Sequence, residues 1–142
     1  MKLTEITVSR TIPASAARVF DLWINPNSPG GPWFGSERCI LNPVVDGLFY
    51  LAAKHENRVW PHYGRFTRLD RPHLIEHTWV SEGTKGAESV VTITLEPRGE
   101  ETEFTLRHSG VPDDDMGRLH KQGWEWILSM LAQGLAAKKS AT

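Results

Sequence analysis

At 142 residues the chain has the size of one domain, and its 39% hydrophobic and 23% charged residues are ordinary for a globular protein. Sixteen Lys and Arg against seventeen Asp and Glu leave a formal charge of −1, which gives no electrostatic footing for nucleic acid or an anionic membrane as partner. One cysteine, Cys39, excludes an internal disulfide and a cysteine-based zinc site.

The amino terminus, MKLTEITVSRTI, alternates polar and apolar residues and carries no apolar run of signal-peptide character. No stretch approaches the ~20 apolar residues of a membrane span, so a cytoplasmic protein is the expectation. Residues 3–11 have the period of a strand. Pro13 ends it, and ASAARVFDLW then sets Val19, Phe20 and Trp23 at helical spacing until Asn25-Pro26 stops the helix. NSPGGPWFG is a turn-rich link with room for one further helical turn, and it carries Trp33.

Between Ser36 and Ser109 the pattern is a succession of strands. ERCILNP, GLFYLAAKH, RVWPHYGRFTRL, HLIEHTWVS, SVVTITLEP and TEFTLRHS are separated by turns at Val45-Asp46-Gly47, Asn57, Asp70-Arg71-Pro72, EGTKGAE and Arg98-Gly99-Glu100. Short links between successive strands predict an antiparallel meander. Glu76 and Thr78 share one face of their strand, which turns Ile75, His77 and Trp79 inward. The same alternation turns Val91, Ile93 and Leu95 inward, with Phe104, Leu106 and His108 beside them.

After Gly110-Val111-Pro112, Asp113 to Asp115 supply an N-cap and a negative first turn for a helix running to about Ala137. Stepping about 100° per residue, Leu119, Trp126 and Met130 fall on one flank of an apolar arc of roughly 200°. Trp124, Leu128, Leu131 and Leu135 fall on the other, with His120, Gly123, Ile127 and Gly134 near its middle. An arc that wide predicts a helix held in the concave side of a curled sheet. Both flanks are expected to be buried, Trp126 among them, with the two glycines allowing close approach or leaving space.

The stretches SRTIPASAARVFDLWINP, PWFG, VVDGLFYL, YGRFTRLDRPHLIEHTW, VTITLEPRGEETEFTLRHSGVP and GWEWILSML resemble, in order, the START-like or SRPBCC superfamily, which includes the birch pollen allergen. Within it the chain is similar to bacterial single-domain relatives of the heat-shock-protein-90 ATPase activator. Two local departures are Asp46-Gly47 where Gly-Gly is usual, and Trp33-Phe34-Gly35 where Trp-Trp-Gly is usual. The resemblance implies the α+β helix-grip fold. Its curved antiparallel sheet of six or seven strands wraps a long carboxyl-terminal helix, with one or two short helices after the first strand, all in one domain over residues 1–142. The eukaryotic co-chaperone's extra amino-terminal domain has no counterpart in these stretches, so chaperone activation is not carried over.

No motif for metal, phosphate or covalent chemistry stands out. His73 and His77 lie roughly 13 Å apart along a strand, too far for one ion, and Cys39 has neither a glycine elbow nor a base beside it. No cofactor is expected. The expected function is binding of a small apolar or aromatic molecule between sheet and helix. Trp33, Phe66, His77, Trp79, Phe104, His108, Met116, His120, Trp124 and Ile127 would line that site. Inward histidines are more often satisfied core residues, but His120 has no local reason to stand amid methionine, leucine and tryptophan. Two alternatives are a cyclase, dehydratase or hydrolase using a cavity histidine, and a protein-interaction module related to the co-chaperone. A homodimer is compatible with the sequence.

Overall fold

A computed structural model of the chain describes residues 2–141. Alternation along β1 (Leu3–Ile12) buries Ile6, Val8 and Ile12 and leaves their neighbours to solvent. Ser15 then caps α1 (Ala16–Trp23), its Oγ accepting from the Arg18 amide at 3.2 Å, and the helix buries Ala16, Val19, Phe20, Leu22 and Trp23. Six further strands follow: β2 (Arg38–Leu41), β3 (Leu48–His55), β4 (Arg58–Asp70), β5 (Leu74–Ser81), β6 (Ser89–Arg98) and β7 (Glu101–Pro112). The link from Asn25 to Gly35 forms turns and no second helix, and a 3-10 turn at Glu82–Thr84 stands where the sequence suggested only a loop.

The seven strands form one antiparallel sheet in the order β1-β7-β6-β5-β4-β3-β2. From β2 to β7 each strand pairs with the next in the chain, and β1 pairs with β7, so β1 and β2 are the two edges. The turn between β3 and β4 is two residues, Glu56 and Asn57, both with positive φ (53° and 61°), the backbone that matches strand twist in a tight hairpin. The expected inward sets hold throughout: Ile75, His77 and Trp79 on β5, Val91, Ile93 and Leu95 on β6, and Phe104, Leu106 and His108 on β7 are all buried.

α2 (Asp115–Ala141) is one unbroken helix, extending past the expected end near Ala137. Asp114 Oδ1 caps it by accepting from the amides of Met116 (3.0 Å) and Gly117 (3.2 Å). The helix lies against β1, β7 and the 3-10 turn, completing the helix-grip α+β fold.

The helix phase differs from the expected one. Trp124, Leu128, Leu131, Ala132 and Leu135 are buried, but Trp126 is 64% exposed, Leu119 54% and Met130 50%. Only one flank of the apolar arc meets the sheet. Of the two roles expected for the central glycines, the structure shows open space and not close approach, since a Cβ on Gly123 or Gly134 would meet nothing within 4 Å. Close approach belongs to Gly117, where a Cβ would fall 2.1 Å from the Pro112 carbonyl oxygen. The tight turn from β7 into α2 tolerates no side chain there and sets which flank faces in.

Candidate functional site

The inward positions of β5 and β7 and the buried stripe of α2 bring histidines and tryptophans into one cluster. Trp124 Nε1–H donates to His108 Nδ1 at 3.1 Å. That fixes the tautomer: Nε2 carries the His108 proton and donates to Ser89 Oγ at 2.8 Å, and the Ser89 hydroxyl donates onward to the Trp79 carbonyl at 2.6 Å. Trp79 Nε1–H in turn donates to His120 Nε2 at 3.3 Å, while His120 Nδ1–H donates to the Met116 carbonyl at 2.8 Å. Two indole N–H groups are thus each met by an imidazole nitrogen, tying α2 to the sheet.

His77 is different. Its Nδ1–H donates to the Thr78 carbonyl at 2.9 Å, but Nε2 is buried with no hydrogen-bond partner. The ring is fully buried, stacked on Phe49 at 4.0 Å and met by the edge of Phe66 at 5.9 Å. Ser81 Oγ, two inward positions further along β5 than His77 with Trp79 between them, is also buried without a partner. Beside it, a Cβ on Gly83 would lie 2.6 Å from His120 Cε1 and 3.4 Å from Ser81 Oγ, so the 3-10 turn is laid directly on the His120 ring.

Burial keeps these imidazoles neutral, since desolvation penalises the charged form. His77 is pushed down to about 4 mainly by desolvation. His108 goes to about 3, by desolvation first and then by the like charges His120, His77 and His62 would carry. His62 falls to about 4 and His120 is lowered too, again chiefly by burial.

The remaining expected residues join this cluster unequally. Trp33 is buried, donates from Nε1 to the Trp23 carbonyl at 2.7 Å, and meets Trp23 and Phe49 edge-on at 5.1 and 5.9 Å. Phe104 packs on Trp23 at 5.1 Å, and Trp23 reaches Trp124 at 6.3 Å. Met116 and Ile127 are half-buried at the helix side. His62, Ser81, Ser89 and Phe49 were not singled out from the sequence, and Trp23 was read as a core position of the first helix and not as part of the site. Parity could have found two of them: Ser81 follows Ile75, His77 and Trp79 inward on β5, and His62 shares the inward face of β4 with Phe66.

Side chains fill the space between sheet and α2, where Trp79 stands 5.1 Å from Trp124 and 4.5 Å from His62. Two surface clefts lie elsewhere: one of about 310 Å³ around Arg18, Asp21 and Asn25, and one of about 210 Å³ around Pro26, Phe34 and Cys39 that takes in Trp33. The 3-10 turn covers one end of the cluster. Exposed ion pairs link it outward, Glu82 to Arg58 on β4 and Lys85 to Asp114 at the start of α2 (3.0 Å). Among the described residues, no helix is long and apolar enough to cross a membrane.

Solved structures share this architecture. The Mll3558 protein from Rhizobium loti is similar at a TM-score of 0.78 and 19% identity, over 94% of this chain and 98% of that one. An HSP90 activator from Plasmodium falciparum, PFC0360w, is similar at 0.71 and 18%, over 87% and 89%. The Aha1 dimer from Colwellia psychrerythraea is similar at 0.69 and 16%, over 93% and 96%. Identities this low establish the fold and nothing finer. No curated protein sequence matches the chain. The family model described as activator of Hsp90 ATPase homolog 1-like protein matches residues 13–136, nearly the whole chain, and the protein therefore belongs to that family.

Proposed function

We infer that the protein binds a small aromatic molecule bearing a hydrogen-bond donor, in the region bounded by the inner face of β5, the 3-10 turn and α2. The supporting observation is the bare acceptor of His77. A buried polar atom without a partner costs about 1–3 kcal/mol, and here it sits among Phe49, Phe66 and Trp79, rings that suit an aromatic guest. A phenolic hydroxyl or amide N–H placed at Nε2 would recover that cost, and the neighbouring Ser81 hydroxyl offers a second contact. Entry requires the 3-10 turn to lift and the Phe49 and Trp79 rings, packed 4.0 and 6.1 Å from His77, to part from it. Its outward ion pairs are exposed, and such pairs contribute only about 0–1 kcal/mol each.

The same chemistry weighs against a general acid or base. A proton-transfer catalyst works best with a pKa near the operating pH, and imidazoles held down to about 4 and about 3 are weak bases at neutrality.

The test is titration with 2-naphthol, followed by quenching of tryptophan emission, on the wild-type protein and on His77→Phe. The expected result is saturable quenching by the wild type and binding weakened about tenfold in the variant, the cost of losing one hydrogen bond of about 1.4 kcal/mol. His77→Phe should melt no lower than wild type, since an unsatisfied acceptor is replaced by a ring. Equal binding by both proteins would remove His77 from the site, and no saturable binding of 2-naphthol would count against the reading as a whole.

A further inference from the structure

The outward face of α2 has the wrong chemistry for solvent. An ordinary surface helix turns charge to water and its apolar stripe to the core. Here Trp124, Leu128, Leu131 and Leu135 meet the sheet, yet the opposite face presents Leu119, Trp126 and Met130, each at least half exposed. From Met116 to Ala137 that face carries no charged residue: Gln122 and Gln133 border it, while Arg118, Lys121 and Glu125 lie to one side. At 64% exposure Trp126 alone presents roughly 150 Å², and with its two neighbours the patch reaches the ~300–600 Å² that usually marks an interaction site on a monomer.

We propose that this face is the contact surface of a homodimer, in which two copies of α2 cross antiparallel about a twofold axis. The residue order carries the choice of partner. Leu119 and Met130 are equidistant from the midpoint between Trp124 and Glu125, and so are Gly123 and Trp126. In an antiparallel pair centred there, Leu119 of each helix meets Met130 of the other, and each Trp126 meets the partner's Gly123. The glycine is the complement the indole needs, because open space lies where a Cβ would stand. A self-complementary pattern is what a twofold interface demands. An uncharged face offers nothing to a nucleic acid, an acidic peptide or an anionic lipid surface. Pairing buries on the order of 600–1,200 Å² in total, at or below the lower end of stable interfaces, so the dimer is weak and concentration-dependent.

Sedimentation velocity from low micromolar to near-millimolar protein tests this, on wild type, Trp126→Ala and Gly123→Lys. Both positions are solvent-exposed and lysine is a better helix former than glycine, so both variants keep the fold, checked by helical circular dichroism. The wild type should show a reversible monomer–dimer equilibrium, weakened about tenfold or more in each variant, as for truncation of an interface hot spot. A wild type that stays monomeric at the highest concentration overturns the proposal. So does a dimer that survives either variant unchanged, which would place the contact on another surface, such as the exposed row of Ile40 and Tyr63 on the sheet's outer face.

Discussion

Acidification from pH 7.5 to 5 should strip the protein of a large part of its stability, through His77 and His108. Both rings are fully buried, and burial holds them down to about 4 and about 3, whereas in the unfolded chain an imidazole titrates at 6.5. At pH 7.5 neither state binds these protons, so they contribute no difference. Between 6.5 and about 4 the unfolded chain takes them up while the folded protein does not, and stability falls with pH by up to about 1.4 kcal/mol per unit for each ring. At pH 5 that comes to about 2 kcal/mol for each and about 4 for the pair. Small domains have only about 5–15 kcal/mol in all. Carboxylates do not obscure the window: Asp21 and Asp114, held low by Arg71 and Lys85, lose their contributions only below the ordinary carboxylate range. His62, partly exposed, adds in the same direction as the buried pair. Urea unfolding at the two pH values, fitted with a common slope, measures the difference, and His77→Phe should remove about half of it. A midpoint unchanged between pH 7.5 and 5 would refute neutral burial, and with it the assigned tautomers.

Three substitution pairs test the packing. Trp124→Ala, which removes a buried indole and the donor to His108, should cost about 3–5 kcal/mol, whereas Trp126→Ala should change monomer stability by less than about 0.5 kcal/mol in thermal melts at low concentration. Gly123→Ala should stabilise the monomer by up to about 1 kcal/mol through helix propensity. Gly117→Ala, by contrast, should destabilise it, because the new methyl meets the Pro112 carbonyl. Gly83→Ala should displace the His120 ring and cost about 1–3 kcal/mol. Most of that loss should vanish in a His120→Ala background, and strict additivity in the double-mutant cycle would mean that the turn does not rest on the ring.

Strand alternation made the inner wall readable in advance. One inward residue on β5 or β7 determines its neighbours two positions away, so Ile75, His77, Trp79, Phe104, Leu106 and His108 were all placed by period alone. α2 was readable as a helix but not in phase. Its apolar arc is wide enough to offer two stripes, and nothing local prefers Trp124 to Trp126. The preference comes from the close passage of Gly117 over Pro112, a contact between backbone atoms that leaves no trace in hydrophobic periodicity. The histidine contacts were hidden for a related reason. Trp79 and His120 lie 41 residues apart and Trp124 and His108 lie 16 apart, so the bonds between them exist only once strand and helix have docked. Wide spacing also concealed Phe49, which turned out to be the stacking partner of His77.

Trp23, Trp79 and Trp124 form a chain of indoles with ring centres 6.3 and 5.1 Å apart. Chromophores this close share their excited states, so the folded protein should show an exciton couplet in circular dichroism that isolated indoles lack. Trp124 is the only member on α2, and the chain passes through it. Detachment of the helix would therefore remove the part of the couplet that runs through Trp124, leaving that of Trp23 with Trp33 at 5.1 Å, even where the helix stays wound and its backbone signal is unchanged. Docking and helicity, which rise and fall together in most helical proteins, can here be followed as two separate optical signals without any label.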